Sequence, residues 1–266
     1  MKKTLVALSL AAMTLPALAQ DKKAPEPDYT ITGNLGIVSD YRFRGASQTD
    51  KKPAVQGGFD FAHKSGFYLG TWASNVSSWA SLDGSGQEID IYGGFKGELP
   101  LGINFDAGYI SYKYPSTESN PKQNTAELYF GISKGPFSYK ASRTMSDAWF
   151  GIGKVGALGA DAKGSLYHDL TLTYTVDKIT LIAHAGYQDL DARDGSGVIA
   201  TTVNPSFKDY KIGVNYDMGD GFTLGLAWVD MSFKVAAAQN WFINTNGADR
   251  PTLYKSGGVI SLTKTF

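Results

Sequence analysis

The chain ends in a ten-residue stretch, Gly257 to Phe266, in which apolar side chains alternate with small or polar ones up to a terminal phenylalanine. Alternation with a period of two is the pattern of a β-strand with one apolar face. A strand that closes a barrel in a membrane pairs along its whole length, and its terminal aromatic side chain lies at the lipid interface. This ending therefore predicts a transmembrane β-barrel.

The first twenty residues have the features of an export signal. Lys2 and Lys3 precede an apolar run from Leu5 to Leu18, and Ala17-Leu18-Ala19 is a small-residue cleavage site. A helix that spans a bilayer needs about 20 apolar residues, so this run is too short. We expect residues 1–19 to be a cleaved signal peptide, 20–29 a short periplasmic segment, and 30–266 the barrel.

The composition agrees with an exported barrel. The chain contains no cysteine, so its stability must come from sheet closure rather than from disulfide bonds. Without Lys2 and Lys3, 23 basic residues stand against 25 acidic ones, and this balance does not suggest a nucleic-acid partner. The 31 glycines and the 13% aromatic share suit a curved sheet with aromatic girdles.

Twelve segments with period-two alternation follow residue 29. The clearest extends from Tyr29 to Phe43, whereas the segment from Phe67 to Asn75 is apolar on both faces and the one from Phe137 to Met145 is weak. Short connectors follow the even-numbered segments and longer ones the odd-numbered segments, which is the order of a barrel with both termini in the periplasm. We therefore predict an all-β fold, an antiparallel transmembrane barrel of 12 strands of the bacterial outer-membrane type, rather than a soluble β-sandwich.

Four motifs in the first quarter of the chain carry a family resemblance. They are SDYRFRG (Ser39 to Gly45), SQTD (Ser47 to Asp50), KPAVQGGFDF (Lys52 to Phe61) and SGFYLGTWASNV (Ser65 to Val76). With these motifs the chain resembles the TorF family of porin-like proteins, and the resemblance extends to Phe266. It implies a small outer-membrane barrel with a porin function, without catalytic residues and without an agreed substrate. Lys264 departs from the usual barrel ending, where an apolar or aromatic residue is common, although a lysine near the interface can extend to water.

If the apolar rows face lipid, the charged side chains between them face the lumen. The pore-lining candidates carry both signs: Asp40, Arg42, Asp60, Glu88, Asp90, Asp106, Glu127, Lys140, Asp169, Asp209 and Lys211. Charged side chains in a narrow lumen tune which solutes pass. We expect a channel for passive diffusion of small hydrophilic solutes or ions. The alternative is a non-conducting barrel, filled by ion pairs, whose loops bind a partner or which stiffens the envelope.

A basic cluster is expected at the mouth of the barrel, beyond the first strand. It consists of Arg44, Lys51 and Lys52, with Arg42 nearby. A cationic mouth could concentrate anionic solutes. Alternatively, Arg44, Lys51 and Lys52 contact the phosphates of lipopolysaccharide or are solvated loop charges. Arg42 lies two residues from Asp40 and by parity points into the lumen.

Signals for catalysis and metal binding are weak. Of the three histidines, only His63 lies near a serine, Ser65, in a tight turn without a third group to orient the imidazole. The segment from Asp189 to Asp194 has three carboxylates but lacks the glycine spacing of a calcium loop. We expect no enzymatic activity, no metal and no cofactor. The five tryptophans, Trp72, Trp79, Trp149, Trp228 and Trp241, are expected in the aromatic girdles.

The expected location is the bacterial outer membrane. The partners expected there are membrane lipid and lipopolysaccharide, the barrel-assembly machinery during biogenesis, and the small hydrophilic solutes. Nucleic acid is not expected as a partner.

Overall fold

A computed structural model describes residues 27–77, 80, 86–115, 123–150, 152–153, 162–190, 206–233 and 251–266. In chain order its strands are β1 (Tyr29–Val38), β2 (Arg42–Phe43), β3 (Ala46–Ser47), β4 (Ala54–His63), β5 (Phe67–Asn75), β6 (Gln87–Leu99), β7 (Ile103–Lys113), β8 (Thr125–Lys134), β9 (Phe137–Thr144), β10 (Ala148–Trp149), β11 (Ile152–Gly153), β12 (Leu166–Val176), β13 (Ile179–Asp189), β14 (Phe207–Gly219), β15 (Phe222–Phe233) and β16 (Gly257–Thr265). Two 3₁₀ helices, Pro100–Gly102 and Pro251–Tyr254, complete the described elements. No helix among these residues is long and apolar enough to cross a membrane.

Twelve of these strands form a closed antiparallel barrel, which confirms the predicted fold class. Their order around the barrel is β1, β16, β15, β14, β13, β12, β9, β8, β7, β6, β5 and β4. The barrel closes where β1 pairs with β16, from Asn34 opposite Thr265 to Val38 opposite Ser261. The remaining short strands form two separate ladders, β2 with β3 and β10 with β11. The expected signal peptide lies outside the described residues, as do Trp79, Trp241, Asp191 and Asp194.

The two faces of the barrel differ in polarity as the alternation predicted. Among the outward side chains, Ile31, Phe59 and Ile212 are each 65% exposed. Acidic side chains such as Glu88 and Glu127 are buried on the inward face. Strand β5, which was ambiguous in sequence, places Phe67 and Leu69 outward. An apolar exterior around a polar interior is the arrangement that a lipid solvent requires.

Inward tyrosines lie against glycines of neighbouring strands. The ring of Tyr92 occupies the space that a Cβ atom at Gly70 would need, and Tyr129 stands in the same relation to Gly108. Each pair is directly opposite in the sheet. Glycine in a strand permits such a close approach. These glycines therefore let large rings lie along the wall of the lumen.

The first strand is shorter than predicted. β1 ends at Val38, and the chain then leaves the barrel wall and forms the β2–β3 ladder before it returns at Ala54. The buried Asp40 carboxylate accepts hydrogen bonds from Ser47 Oγ at 2.5 Å and from Arg42 Nε at 2.6 Å. These local bonds end the strand in spite of the alternation that continues to Phe43. We refer to residues 39–53 as the inserted hairpin.

Candidate functional site

The inserted hairpin crosses the lumen. It follows β1, and β8 lies on the far side of the barrel, five strands away in one direction and seven in the other. Arg44 in the hairpin nevertheless forms a two-pronged ion pair with Glu127 of β8, with Nη2 to Oε2 at 2.6 Å and Nη1 to Oε1 at 3.0 Å. Arg44 Nη1 also donates to Gln188 Oε1 at 2.6 Å, on β13. The hairpin is thus fixed to the opposite wall.

Tyr41 fixes the hairpin to a third part of the wall. Its hydroxyl donates to Glu88 Oε1 of β6 at 3.0 Å, and its ring packs edge-on against Trp72 with the centroids 5.4 Å apart. Burial raises the pKa of Tyr41 well above its ordinary value, and the carboxylates of Glu88 and Asp90 raise it further. The hydroxyl therefore keeps its proton and remains a donor to Glu88.

Arg42 occupies a different position from the one predicted. The alternation placed it on a long first strand with its side chain pointing into the lumen, but it belongs to β2 in the hairpin. Its guanidinium forms an ion pair with Asp40 at 2.6 Å and donates to the carbonyls of Gly45 at 3.0 Å and Lys255 at 2.9 Å. Arg42 and Asp40 therefore hold the hairpin together.

The predicted basic cluster at the mouth is divided in the structure. Lys51 and Lys52 are exposed, as a mouth position requires, but the side chain of Arg44 is only 6% exposed. The placement of Arg44 beside these lysines was wrong, because the ion pair with Glu127 draws its side chain across the lumen. Its guanidinium also lies 4.0 Å above the ring centre of Tyr167.

Apolar side chains pack around the hairpin at the end of the barrel away from the short turns. One cluster consists of Ala46, Trp149, Ala162, Leu190, Phe207, Met231, Leu253 and Tyr254, and a second of Val76, Ala80, Tyr112 and Tyr114. Trp149 and Trp72 belong to this interior rather than to an aromatic girdle, whereas Trp228 is outward and exposed as expected. Polar and apolar contacts together narrow this half of the lumen.

The half nearer the short turns has a wall of tyrosines, carboxylates and lysines. Tyr68 donates to Asp106 Oδ1 at 2.6 Å and contacts the hydroxyl of Tyr129. On the same wall, Tyr92 donates to Asp60 Oδ1 at 2.6 Å. The ammonium groups of Lys96 and Lys140 lie 5.6 Å and 5.7 Å from the ring centres of Tyr68 and Tyr129, respectively. This wall presents both charges and aromatic faces to the lumen.

A histidine organises the opposite wall. His184 Nε2 lies 2.8 Å from Asp209 Oδ1, and its Nδ1 lies 3.2 Å from Asp169 Oδ1. Thr171 donates to Asp169 at 2.7 Å, and Lys211 is directly opposite His184 in the sheet. The alternation places His184 in an inward row, but the histidines were weighed only for catalysis, so this network was not predicted.

The structure places the remaining predicted lumen residues on the inward face. These are Asp60, Glu88, Asp90, Asp106, Glu127, Lys140, Asp169, Asp209 and Lys211. They do not form one ring: some contact the hairpin, and others line the two walls described above. Lys96 was not among the predicted pore-lining residues. The inward tyrosines were missed because that prediction considered only charged side chains.

The His63–Ser65 pair weighed for catalysis lies apart from the lumen networks. His63 Nδ1 and Ser65 Oγ are 2.8 Å apart, but both residues are exposed on the turn after β4. Within the described part of the chain, no three His, Cys, Asp or Glu residues come together in a group that could hold a metal ion.

Solved porin structures share the barrel. A KdgM porin aligns with a TM-score of 0.50 and 7% identity over 88% of this chain and 99% of its own. A KdgM porin in complex with disordered oligogalacturonate aligns with a TM-score of 0.50 and 7% identity, over 89% of this chain and 98% of its own. A NanC porin aligns with a TM-score of 0.48 and 8% identity, over 89% of this chain and 99% of its own. At such low identity these likenesses concern the fold alone.

The sequence comparisons identify a family. No curated protein matches the chain. Residues 22–266 match the family described as "Bacterial protein of unknown function (Gcw_chp)", which covers the whole barrel. The chain therefore belongs to the Gcw_chp family.

Proposed function

We propose that this protein is a porin-like channel of the bacterial outer membrane, of the TorF type, through which small hydrophilic solutes or ions diffuse passively. The observation that carries the proposal is the polarity of the closed barrel, apolar outside and charged inside. A bilayer requires the apolar outer face, and a path for hydrophilic solutes requires the charged inner face. Export by the N-terminal signal, insertion by the barrel-assembly machinery, and contact with lipid and lipopolysaccharide are parts of the same proposal.

Two groups of lumen residues have different parts in this function. Asp60, Asp106, Lys140, Asp169 and Lys211 line the walls and act on passing solutes. Asp40, Arg42, Arg44, Glu88 and Glu127 hold the inserted hairpin, which forms the constriction. Because the hairpin is tied to the opposite wall, only small solutes pass beside it. No residue has a catalytic role in this proposal.

A non-conducting barrel is the second candidate function. Two apolar clusters pack around the hairpin, and the ion pairs at its centre are buried. A lumen filled in this way favours a structural barrel, or one that binds partners through its loops. The two candidates differ in whether current flows through the protein.

Single-channel recording in planar bilayers separates the candidates. The wild type is compared with the double variant Arg44→Met/Glu127→Gln, which removes both charges that tie the hairpin to β8. Under our proposal the wild type gives a small, steady conductance and the double variant a severalfold larger one, because the hairpin can leave the lumen. Lys52→Met is the control, since Lys52 is an exposed basic residue of the same hairpin.

The same recording can refute the proposal. A wild type without current, combined with a double variant that conducts, indicates a plugged barrel. Absence of current in all folded variants excludes a channel. Conductance that is equal in wild type and double variant refutes the hairpin as the constriction, while the channel function stands.

A further inference from the structure

Two acidic side chains lie together beside the inserted hairpin. Glu88 and Asp90 are two residues apart on the inward face of β6, where they are only 2% and 6% exposed. Glu88 accepts hydrogen bonds from the hydroxyls of Tyr41 and Tyr114, both at 3.0 Å. Asp90 Oδ1 is buried and accepts no hydrogen bond from the described residues.

The pair lacks the basic partner that three other buried acids have in the described part of the chain. Asp40 is paired with Arg42, Glu127 with Arg44, and Asp209 with His184. Within the described ranges, no lysine, arginine or histidine forms an ion pair or hydrogen bond with Glu88 or Asp90. Burial of unpaired charges is strongly unfavourable, so the pair must gain a positive charge, either as a proton or as a bound cation.

The surroundings of the pair favour a cation. Asp90 is directly opposite Trp72 on β5 and Tyr112 on β7, and all three are on the inward face. Side chains directly opposite in a sheet are in contact range. The faces of aromatic rings attract cations, most strongly where water is excluded.

We propose that Glu88 and Asp90 form a binding site for one small monovalent cation, an alkali-metal or ammonium ion, which binds at Asp90 Oδ1. The ion takes the place of the missing basic side chain. Because Tyr41 connects Glu88 to the inserted hairpin, the bound ion also stabilises the hairpin inside the lumen. This site does not depend on whether the barrel conducts.

The contacts of the pair argue against a divalent ion such as calcium. Each oxygen of Glu88 accepts one hydrogen bond from a tyrosine, whereas Asp90 Oδ1 accepts none from the described residues. Calcium takes six to eight oxygen ligands. Among the described residues no group of three metal-ligating side chains is present to provide them.

The test measures thermal unfolding of the refolded full barrel in detergent, by the change in mobility between unboiled and boiled samples on gels. Chlorides of sodium, potassium and ammonium are compared with the chloride of N-methylglucamine, a much larger organic cation, at equal ionic strength and pH. A ligand that binds only the folded state raises the midpoint in a saturable way. We expect such a rise with the small cations, and the largest rise identifies whether an alkali-metal ion or ammonium is preferred.

Asp90→Asn should abolish this cation dependence, because a neutral amide no longer requires a counter-ion. Glu88→Gln is the second test variant. Asp60→Asn is the control: Asp60 is as buried as Asp90 but has Tyr92 as a donor, and its variant should keep the dependence. If neither test variant folds, the comparison of the four salts on the wild type still shows whether a small cation stabilises the barrel.

Two results would overturn the site. One is an equal midpoint in all four salts, which would mean that the pair shares a proton or binds water. The other is a cation dependence that persists in Asp90→Asn or disappears in Asp60→Asn. A barrel that binds the cation but passes no current would refute the proposed channel and leave this site in place.

Discussion

Arg44 and Glu127 are 83 positions apart in the sequence, and the barrel brings their charges together where little water remains. In such a place, removal of one partner leaves the other charge buried and unpaired, whereas removal of both is much less costly. This asymmetry makes the pair a determinant of where the hairpin lies. The contribution of the ion pair to stability can therefore be measured by comparing single and double variants.

We predict that Arg44→Met alone reduces the free energy of unfolding by about 3–5 kcal/mol. The double variant Arg44→Met/Glu127→Leu should lose less than the sum of the two single variants. Lys52→Met, at an exposed position, should change the value by no more than about 0.5 kcal/mol. Unfolding in urea from lipid vesicles provides all four values, and strictly additive losses would show that the two side chains are not coupled.

A second prediction at the scale of residues concerns the lipid-facing row. Leu226 lies near the middle of β15, points outward and is 48% exposed. Leu226→Arg should cost roughly 2–4 kcal/mol, the range for arginine near the bilayer midplane. Asn215→Arg is the matched control, because Asn215 is directly opposite Gly225 and points into the lumen. Equal losses of unfolding free energy at the two positions would contradict the outward orientation of Leu226 and the inward orientation of Asn215.

At the scale of elements, the inserted hairpin depends on the backbone at its tip. Gly45 has a φ of +86°, and a Cβ atom there would lie 2.9 Å from the Cβ atoms of Asp209 and Met231. Gly45→Ala therefore combines backbone strain with a collision against β14 and β15. Gly135, with a φ of +57° and no atom within 4 Å of an added Cβ, provides a control that suffers only the strain.

We predict that Gly45→Ala destabilises the barrel by more than Gly135→Ala, for which the left-handed backbone alone costs about 1–2 kcal/mol. If the channel conducts, Gly45→Ala should also increase the conductance, since the hairpin tip is displaced from the wall. The measurements are thermal unfolding and single-channel current. Equal behaviour of the two variants would mean that the tip does not press against β14 and β15.

The sequence predicted the barrel strands but not the hairpin, and the reason is the range of the interactions. Alternation is a local property, so strands such as β5 and β9 were found at or close to their observed limits. From Ser39 to Phe43 the same alternation continues, and nothing local shows that the strand has ended. The partners that hold the hairpin, Glu88 and Glu127, lie far along the chain, and a strand pattern does not specify contacts across a lumen.

At the scale of the whole molecule, closure of the barrel depends on a short seam. β1 pairs along its whole length with β4, but with β16 only from Asn34 to Val38. Phe266 extends this seam, because its N–H donates to the Gly33 carbonyl at 2.8 Å and its carbonyl accepts from the Gly33 N–H at 3.3 Å. Lys264, which departs from the usual barrel ending, directs its ammonium group to the carbonyl of Asp220 and lies 4.5 Å from the ring centre of Phe222.

Deletion of Phe266 should therefore impair assembly in two ways, through the loss of both seam hydrogen bonds and of an outward aromatic side chain that is 68% exposed. Phe266→Ala separates the two, since it keeps the backbone bonds and removes only the ring, and Phe266→Tyr keeps both. We expect the amount of folded protein in the outer membrane to fall from Phe266→Tyr to Phe266→Ala to the deletion, as measured by fractionation and heat-modifiable mobility. If Phe266→Ala is as deficient as the deletion, the ring alone carries the assembly signal. If the deletion assembles like the full chain, closure depends on the pairs from Asn34 to Val38 alone.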